Sequence, residues 1–218
     1  MAETESLLAV DGIDAPAIVA ELAEWGATSR PLLSEPGRRR LLGAARAMAF
    51  RSSRPVVGTG EAVVRQELDW SDAFPADSPF HVLAATYQAL WDDAIARLPA
   101  SPFATPLCFN EMMMTRYRAG SIGITPHRDH VSYVNLVALV VLEGEGSFRV
   151  AEDRSGTGPR AVPGSPGCVI LMRAPGFLGS AVRPFHYVTD IRSTRTVFGL
   201  RHESPPGARL TRTRPADG

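Results

Sequence analysis

The sequence predicts a mostly β protein, with a sandwich or barrel of short strands in its second half and helices from the first hundred residues packed outside it. Three observations carry this. Short Val-, Leu- and Ile-rich runs recur after about residue 110 between Gly/Pro turns, the spacing of a sandwich or barrel rather than a parallel sheet. Val131 to Leu142 is apolar along its length and has no helix-like polar face. The first hundred residues instead carry helix caps and apolar residues three and four apart.

In chain order, Asp14 caps a first helix with Pro16 in its first turn, and Ile18, Val19, Leu22 and Trp25 fall on one face. The stretch A-T-S-R-P reads as a loop, and a second helix runs from about Glu35 to Phe50. Residues 56 to 70 suggest a turn and a short strand ending at Trp70. After the turn formers of D-A-F-P-A-D-S-P, a longer helix follows. There Phe80, Leu83, Tyr87, Leu90, Trp91, Ala94 and Leu98 repeat at helical spacing until Pro99, Pro102 and Pro106 end it. Trp70, Trp91 and Tyr87 are expected as core anchors. Strands are then expected at Met112 to Tyr117, Val131 to Leu142, S-F-R-V-A-E, R-A-V, Cys168 to Met172, Pro184 to Thr189 and Arg195 to His202. One domain over 1–218 is expected: a mainly helical part to 105, a β core over 106–204 and a flexible tail from 205.

Length and composition suit an ordinary globular chain. The 218 residues can bury a core without staples, and 44% are hydrophobic and 21% charged. Twenty-three basic residues balance 23 acidic ones, so no overall field attracts nucleic acid or an anionic membrane. The cluster Arg38-Arg39-Arg40, interleaved with Leu41, Leu42, Ala44 and Ala45, reads as the polar face of the second helix. Cys108 and Cys168 form no C-x-x-C pair and read as buried thiols in a reducing compartment. M-A-E-T-E-S lacks the basic start of a secretory signal and no apolar run is long enough to span a membrane, so a cytoplasmic location is expected.

The chemistry concentrates in T-P-H-R-D-H, residues 125 to 130. Residues two apart on a strand share a face, so His127 and Asp129 can converge on one metal ion with Arg128 turned away. Two ligands do not hold a metal site. The third candidate is His186 in R-P-F-H-Y-V, on a late strand; His81, His130 and His202 complete the histidines. Two histidines and one carboxylate form the facial triad of non-haem Fe(II), and zinc with a water suits the same donors. Arg195 opens the next strand within the apolar T-V-F-G-L. A buried arginine is costly unless it meets an anion, and its planar fork suits a carboxylate. An open metal and such an arginine together describe a site for a dicarboxylic cosubstrate.

The ordered set R-Y-R-A-G-S-I-G-I-T-P-H-R-D, P-G-S-P-G-C-V-I-L-M and F-H-Y-V…R-T-V-F-G-L-R resembles the Fe(II)/2-oxoglutarate-dependent dioxygenase superfamily over roughly residues 108 to 203. The first stretch is similar to its AlkB-like branch. The resemblance implies a double-stranded β-helix (a jelly-roll, cupin-like core), Fe(II) on His127, Asp129 and His186, and 2-oxoglutarate on Arg195. It also implies cosubstrate contacts from Tyr117 and Arg201. Where the AlkB-like pattern has Asn, Thr115 stands, Val197 replaces a common Ser, and Arg195 follows His186 more closely than in the repair enzymes. The implied reaction is oxidation of a substrate by O2 with release of succinate and CO2, hydroxylation being the default outcome. Halogenation would need a small residue in place of Asp129.

Candidate substrate contacts are His130, beside the triad, Asn110 and Asn135, whose amides could face the cavity, and Phe177, in the Gly-flanked loop P-G-F-L-G-S as a pocket rim. The balanced charge favours a small organic substrate, an amino acid or natural-product intermediate, over an alkylated base in nucleic acid. A non-catalytic cupin-like metal-binding module would leave Arg195 without a purpose, and so would a zinc hydrolase.

Overall fold

A computed structural model of the chain describes residues 6–205. The expected C-terminal tail lies almost wholly outside that range. Two sheets face one another. The larger has the order β1-β11-β8-β13-β6-β5-β2 and the smaller β10-β9-β12-β7, while β3 and β4 form a separate hairpin. In the larger sheet β1 is Ala27–Pro31, β2 Arg51–Ser52, β5 Asp69–Ser71, β6 Glu111–Tyr117, β8 Tyr133–Glu143, β11 Cys168–Arg173 and β13 Arg195–Glu203. In the smaller, β7 is Ile124–His127, β9 Ser147–Ala151, β10 Arg160–Val162 and β12 Phe185–Thr189. The hairpin pairs β3, Val56–Val57, with β4, Val64–Arg65. All recorded pairings within the two sheets are antiparallel.

Strand alternation divides the larger sheet into two working faces. Met114, Val140, Leu171, Phe198 and Leu200 turn outward to a core shared with the helices. Their neighbours Tyr117, Val137, Val141, Ile170 and Met172 turn inward toward Phe148, Val150 and Val188 of the smaller sheet. The three helices α1 (Ala15–Trp25), α2 (Glu35–Arg46) and α3 (Pro79–Ala96) cover the outer face. Their ends follow from local chemistry. Asp14 Oδ1 accepts from the Ala17 amide at 3.1 Å, and Gly26 leaves α1 at φ 79°, a turn that suits glycine. Ser34 caps α2 through the Gly37 amide and Ser78 caps α3. Tyr87 and Trp91 are buried anchors of α3 as expected.

Several expectations are corrected. A-T-S-R-P is not a loop but β1, an edge strand that exists through its five-residue register with β11. Its polar, proline-ended sequence carries little strand signal of its own. Helix α2 stops at Arg46, short of Phe50. Trp25 is exposed and meets the Arg160 guanidinium at 4.8 Å rather than packing beneath α1. Cys108 is exposed and Cys168 half-buried. Trp70 is half-buried, with Arg51 stacked on its ring at 4.0 Å, and it lines a cavity instead of anchoring the core. The arginines of α2 fit a helix surface: Arg38 pairs with Glu35 and donates to the Leu142 carbonyl at 2.8 Å, while Leu41, Leu42 and Ala45 are buried. No helix among the described residues is long and apolar enough to cross a membrane.

Candidate metal centre and cavity

His127 is the last residue of β7, and antiparallel pairing sets it directly opposite His186 of β12. Asp129 lies just beyond β7, so the loop rather than the strand pleat swings its carboxylate back to the histidines. Its Oδ1 stands 3.6 Å from His186 Nε2 and 4.0 Å from His127 Nε2. One ligand atom from each of the three lies within 4.8 Å of the others.

The supporting contacts orient these groups. His127 Nδ1 is 3.0 Å from the Thr125 carbonyl and His186 Nδ1 is 3.4 Å from that of Pro184. Each Nδ1–H donates to its carbonyl, which leaves the Nε2 lone pairs aimed at one point. Burial, with His186 alongside, pushes His127 down to about 4, so it stays neutral near pH 7. Burial by itself would raise the Asp129 carboxyl; the positive fields of His186, Arg201, His127 and Arg183 outweigh it and hold the group below its ordinary range. Two neutral imidazoles and one carboxylate fit a divalent first-row metal with positions left open.

The centre opens into a cavity of about 430 Å³ between the two sheets. Arg195 reaches into it, 1% exposed. Its Nη1 donates to the Gly164 carbonyl at 3.0 Å, and its Nε has no partner among the described residues. A Cβ at Gly164 would stand 2.9 Å from Arg195 Nη2, so the guanidinium occupies space that a side chain there would take. No carboxylate among the described residues neutralises it, and burial lowers its pKa against the opposing influence of Tyr117. Tyr117 is its direct cross-strand partner, and burial pushes that phenol up to about 12. Arg201, further along β13 and buried, also lines the cavity, and its Nη1 donates to Glu111 at 2.9 Å.

The sequence-derived candidates divide cleanly. His127, Asp129, His186, Arg195, Tyr117 and Arg201 come together around one cavity. His130 sits at its exposed rim with Nδ1 2.8 Å from Ser132 Oγ. Asn110 does not reach it: its amide exchanges two hydrogen bonds with the Glu203 backbone and ties the end of β13. Asn135 is fully buried at φ 63° and holds Thr105 and His202, away from the cavity. Phe177 is not a rim residue. It is 1% exposed in the helix-side core with its ring 6.2 Å from Phe103, and Leu178 takes the exposed position.

The sequence reading missed the mouth. Ser53, Val57, Val64, Gln66, Leu68 and Trp70 line the cavity from the hairpin, β5 and the chain beside them. A signal was present, because Val64, Gln66, Leu68 and Trp70 alternate at period two. Met113 and Thr115 likewise share the cavity face of β6 with Tyr117.

No family model matches the sequence, and no curated protein matches it. Solved structures do. A prolyl hydroxylase from Trichoplax adhaerens, in complex with a hypoxia inducible factor oxygen degradation domain peptide, is 13% identical with a TM-score of 0.61, over 85% of this chain and 87% of that one. A Pseudomonas putida prolyl-4-hydroxylase is 14% identical with a TM-score of 0.58, over 86% and 98%. An oxidoreductase of the 2OG-Fe(II) oxygenase family from Burkholderia pseudomallei is 16% identical with a TM-score of 0.59, over 89% and 95%. At these identities the likeness establishes the fold: a mostly β, double-stranded β-helix core with N-terminal helices.

Proposed function

We propose that this chain is an Fe(II)- and 2-oxoglutarate-dependent oxygenase that hydroxylates a small organic molecule. The observation that carries the reading is the pairing of two features in one cavity. A two-histidine, one-carboxylate triad faces the same space as Arg195, a buried guanidinium with no acidic partner. Burying an unpaired cation is costly, and a cosubstrate carboxylate offsets that cost. The similar Burkholderia pseudomallei protein is a 2OG-Fe(II) oxygenase family oxidoreductase, and the Pseudomonas putida one a prolyl-4-hydroxylase.

His127, Asp129 and His186 would hold the iron, which when bound supplies the activation of O2. Arg195 binds the distal carboxylate of 2-oxoglutarate, and Tyr117 contacts it across the strand pair. Arg201, held by Glu111, stands as the second cosubstrate contact and keeps Asp129 ionised. The reaction balances as R–H plus O2 plus 2-oxoglutarate giving R–OH, succinate and CO2. One oxygen atom enters the substrate and the other enters succinate. Two electrons come from the C–H bond and two from the decarboxylated oxo acid.

Anaerobic titration of the protein with Fe(II) and 2-oxoglutarate tests this. A weak visible charge-transfer band is expected, together with slow succinate formation once air is admitted. Absence of both rules the reading out. The nucleic-acid alternative rests on the AlkB-like similarity of the first motif; strong stimulation of succinate formation by N-methylated oligonucleotides would favour it.

A further inference from the structure

We infer that the substrate of this cavity is an uncharged, predominantly apolar molecule, and not an amino acid or other ion. The inference rests on the oxygenase reading and narrows its substrate class. Charge is the first ground. The titratable groups lining the cavity are the triad, Tyr117, Arg128, His130, Arg195 and Arg201. A divalent metal and Arg195 balance Asp129 and the two carboxylates of 2-oxoglutarate, and Arg201 is matched by Glu111.

Arg128, which borders the cavity, is the cation left over, and its guanidinium is stacked against the Phe185 ring. His186 and Val188 of β12 line the cavity, so Phe185 on the same strand faces the other way. The Arg128 guanidinium sits 4.0 Å from the Phe185 ring centroid, on that outer side. His130 remains at the solvent-exposed rim, tied to Ser132. The loaded cavity therefore has no counter-ion for a charged substrate. An unpaired ion would lose its hydration without recompense.

The walls are the second ground. Val57, Val64, Leu68, Trp70 and Met113 give the cavity a largely apolar wall. Gln66, alongside, is steadied by its Nε2 donating to the Arg54 carbonyl at 3.0 Å.

Matched probes on one skeleton test this: 3-phenylpropanol, 3-phenylpropanoate and 3-phenylpropylamine, with geraniol, geranic acid and geranylamine as a second set. Binding is measured by calorimetry under argon to the protein loaded with Mn(II) and 2-oxoglutarate, and again to the protein alone. The alcohol of each set should bind the loaded protein at least about tenfold tighter than either ion. Leu68→Glu places a carboxylate in the wall and should reverse the order, with the amine now preferred over the alcohol. A general loss of folding could not produce that reversal.

An acid or amine binding as tightly as its alcohol overturns the inference, and so does failure of all six probes to bind. Succinate formation without any probe is followed in parallel. Its absence with neutral-probe binding intact removes the oxygenase reading alone. Its presence with ion-preferring binding removes the substrate inference alone.

Discussion

His127 and His186 are direct cross-strand partners on β7 and β12, with their rings 4.3 Å apart, so a single strand pair supplies both imidazoles of the centre. The metal site is therefore as rigid as that pairing. His127→Ala, Asp129→Ala and His186→Ala should each abolish the Fe(II)/2-oxoglutarate charge-transfer band while the protein stays folded by circular dichroism. A band of normal strength in His186→Ala would remove it from the ligand set.

Arg195→Ala should keep the metal and lose most affinity for 2-oxoglutarate, by roughly 2–5 kcal/mol, the range for truncating one partner of a buried charge pair. Arg195→Lys should recover only part, because an ammonium cannot reproduce the planar fork. The check is the 2-oxoglutarate dissociation constant under argon. Normal affinity in Arg195→Ala combined with loss in Arg192→Ala would transfer the role to Arg192.

The metal-free protein should lose stability as pH falls from about 6.5 to about 4. His127 has a lowered pKa in the fold, so the unfolded chain binds the extra proton first in that window. The contribution is fully present above the ordinary imidazole range and lost through the folded value. Asp129, also lowered, extends the loss to more acidic pH. Thermal melting against pH should show a shallower acid slope in His127→Asn, and an unchanged slope would remove His127 as the cause.

Phe177 and Leu178 are neighbours with opposite fates. Phe177→Ala should cost about 3–5 kcal/mol in denaturant melts, because its ring is enclosed in the helix-side core. Leu178→Ala should stay within about 0.5 kcal/mol. Equal effects would contradict the packing of this loop.

Oligonucleotides with N-methylated bases should not raise succinate formation above the substrate-free rate. The arginines of α2 offer no ready phosphate groove: Arg38 is committed to Glu35 and Leu142, and Arg46 to Glu143. Salt-sensitive stimulation, lost on neutralising Arg38, Arg39 and Arg40, would reverse this.

Much of the molecule was legible in the chain itself. The helix cap Asp14, the helical repeat from Phe80 to Leu98 and the β-rich runs after residue 110 are local signals, because caps, helical periodicity and strand alternation act over a few residues. H-x-D with a later histidine and an arginine in an apolar run marked the residues that converge on the cavity. What the sequence left open depends on partners far away along the chain. Strand β1 acquires its form only from β11, and Phe177 is enclosed only when the helices pack over its loop. Trp70 turns from core anchor to cavity wall because β5 sits toward one edge of the larger sheet, where its ring meets solvent and Arg51 instead of the helices. Asp129 reaches the histidines by a loop, and the Arg128 guanidinium stacks on the ring of Phe185 from the late strand β12. Local patterning specifies which face a side chain can take. Tertiary packing decides what waits on that face, since burial and pairing energies arise only when distant segments meet.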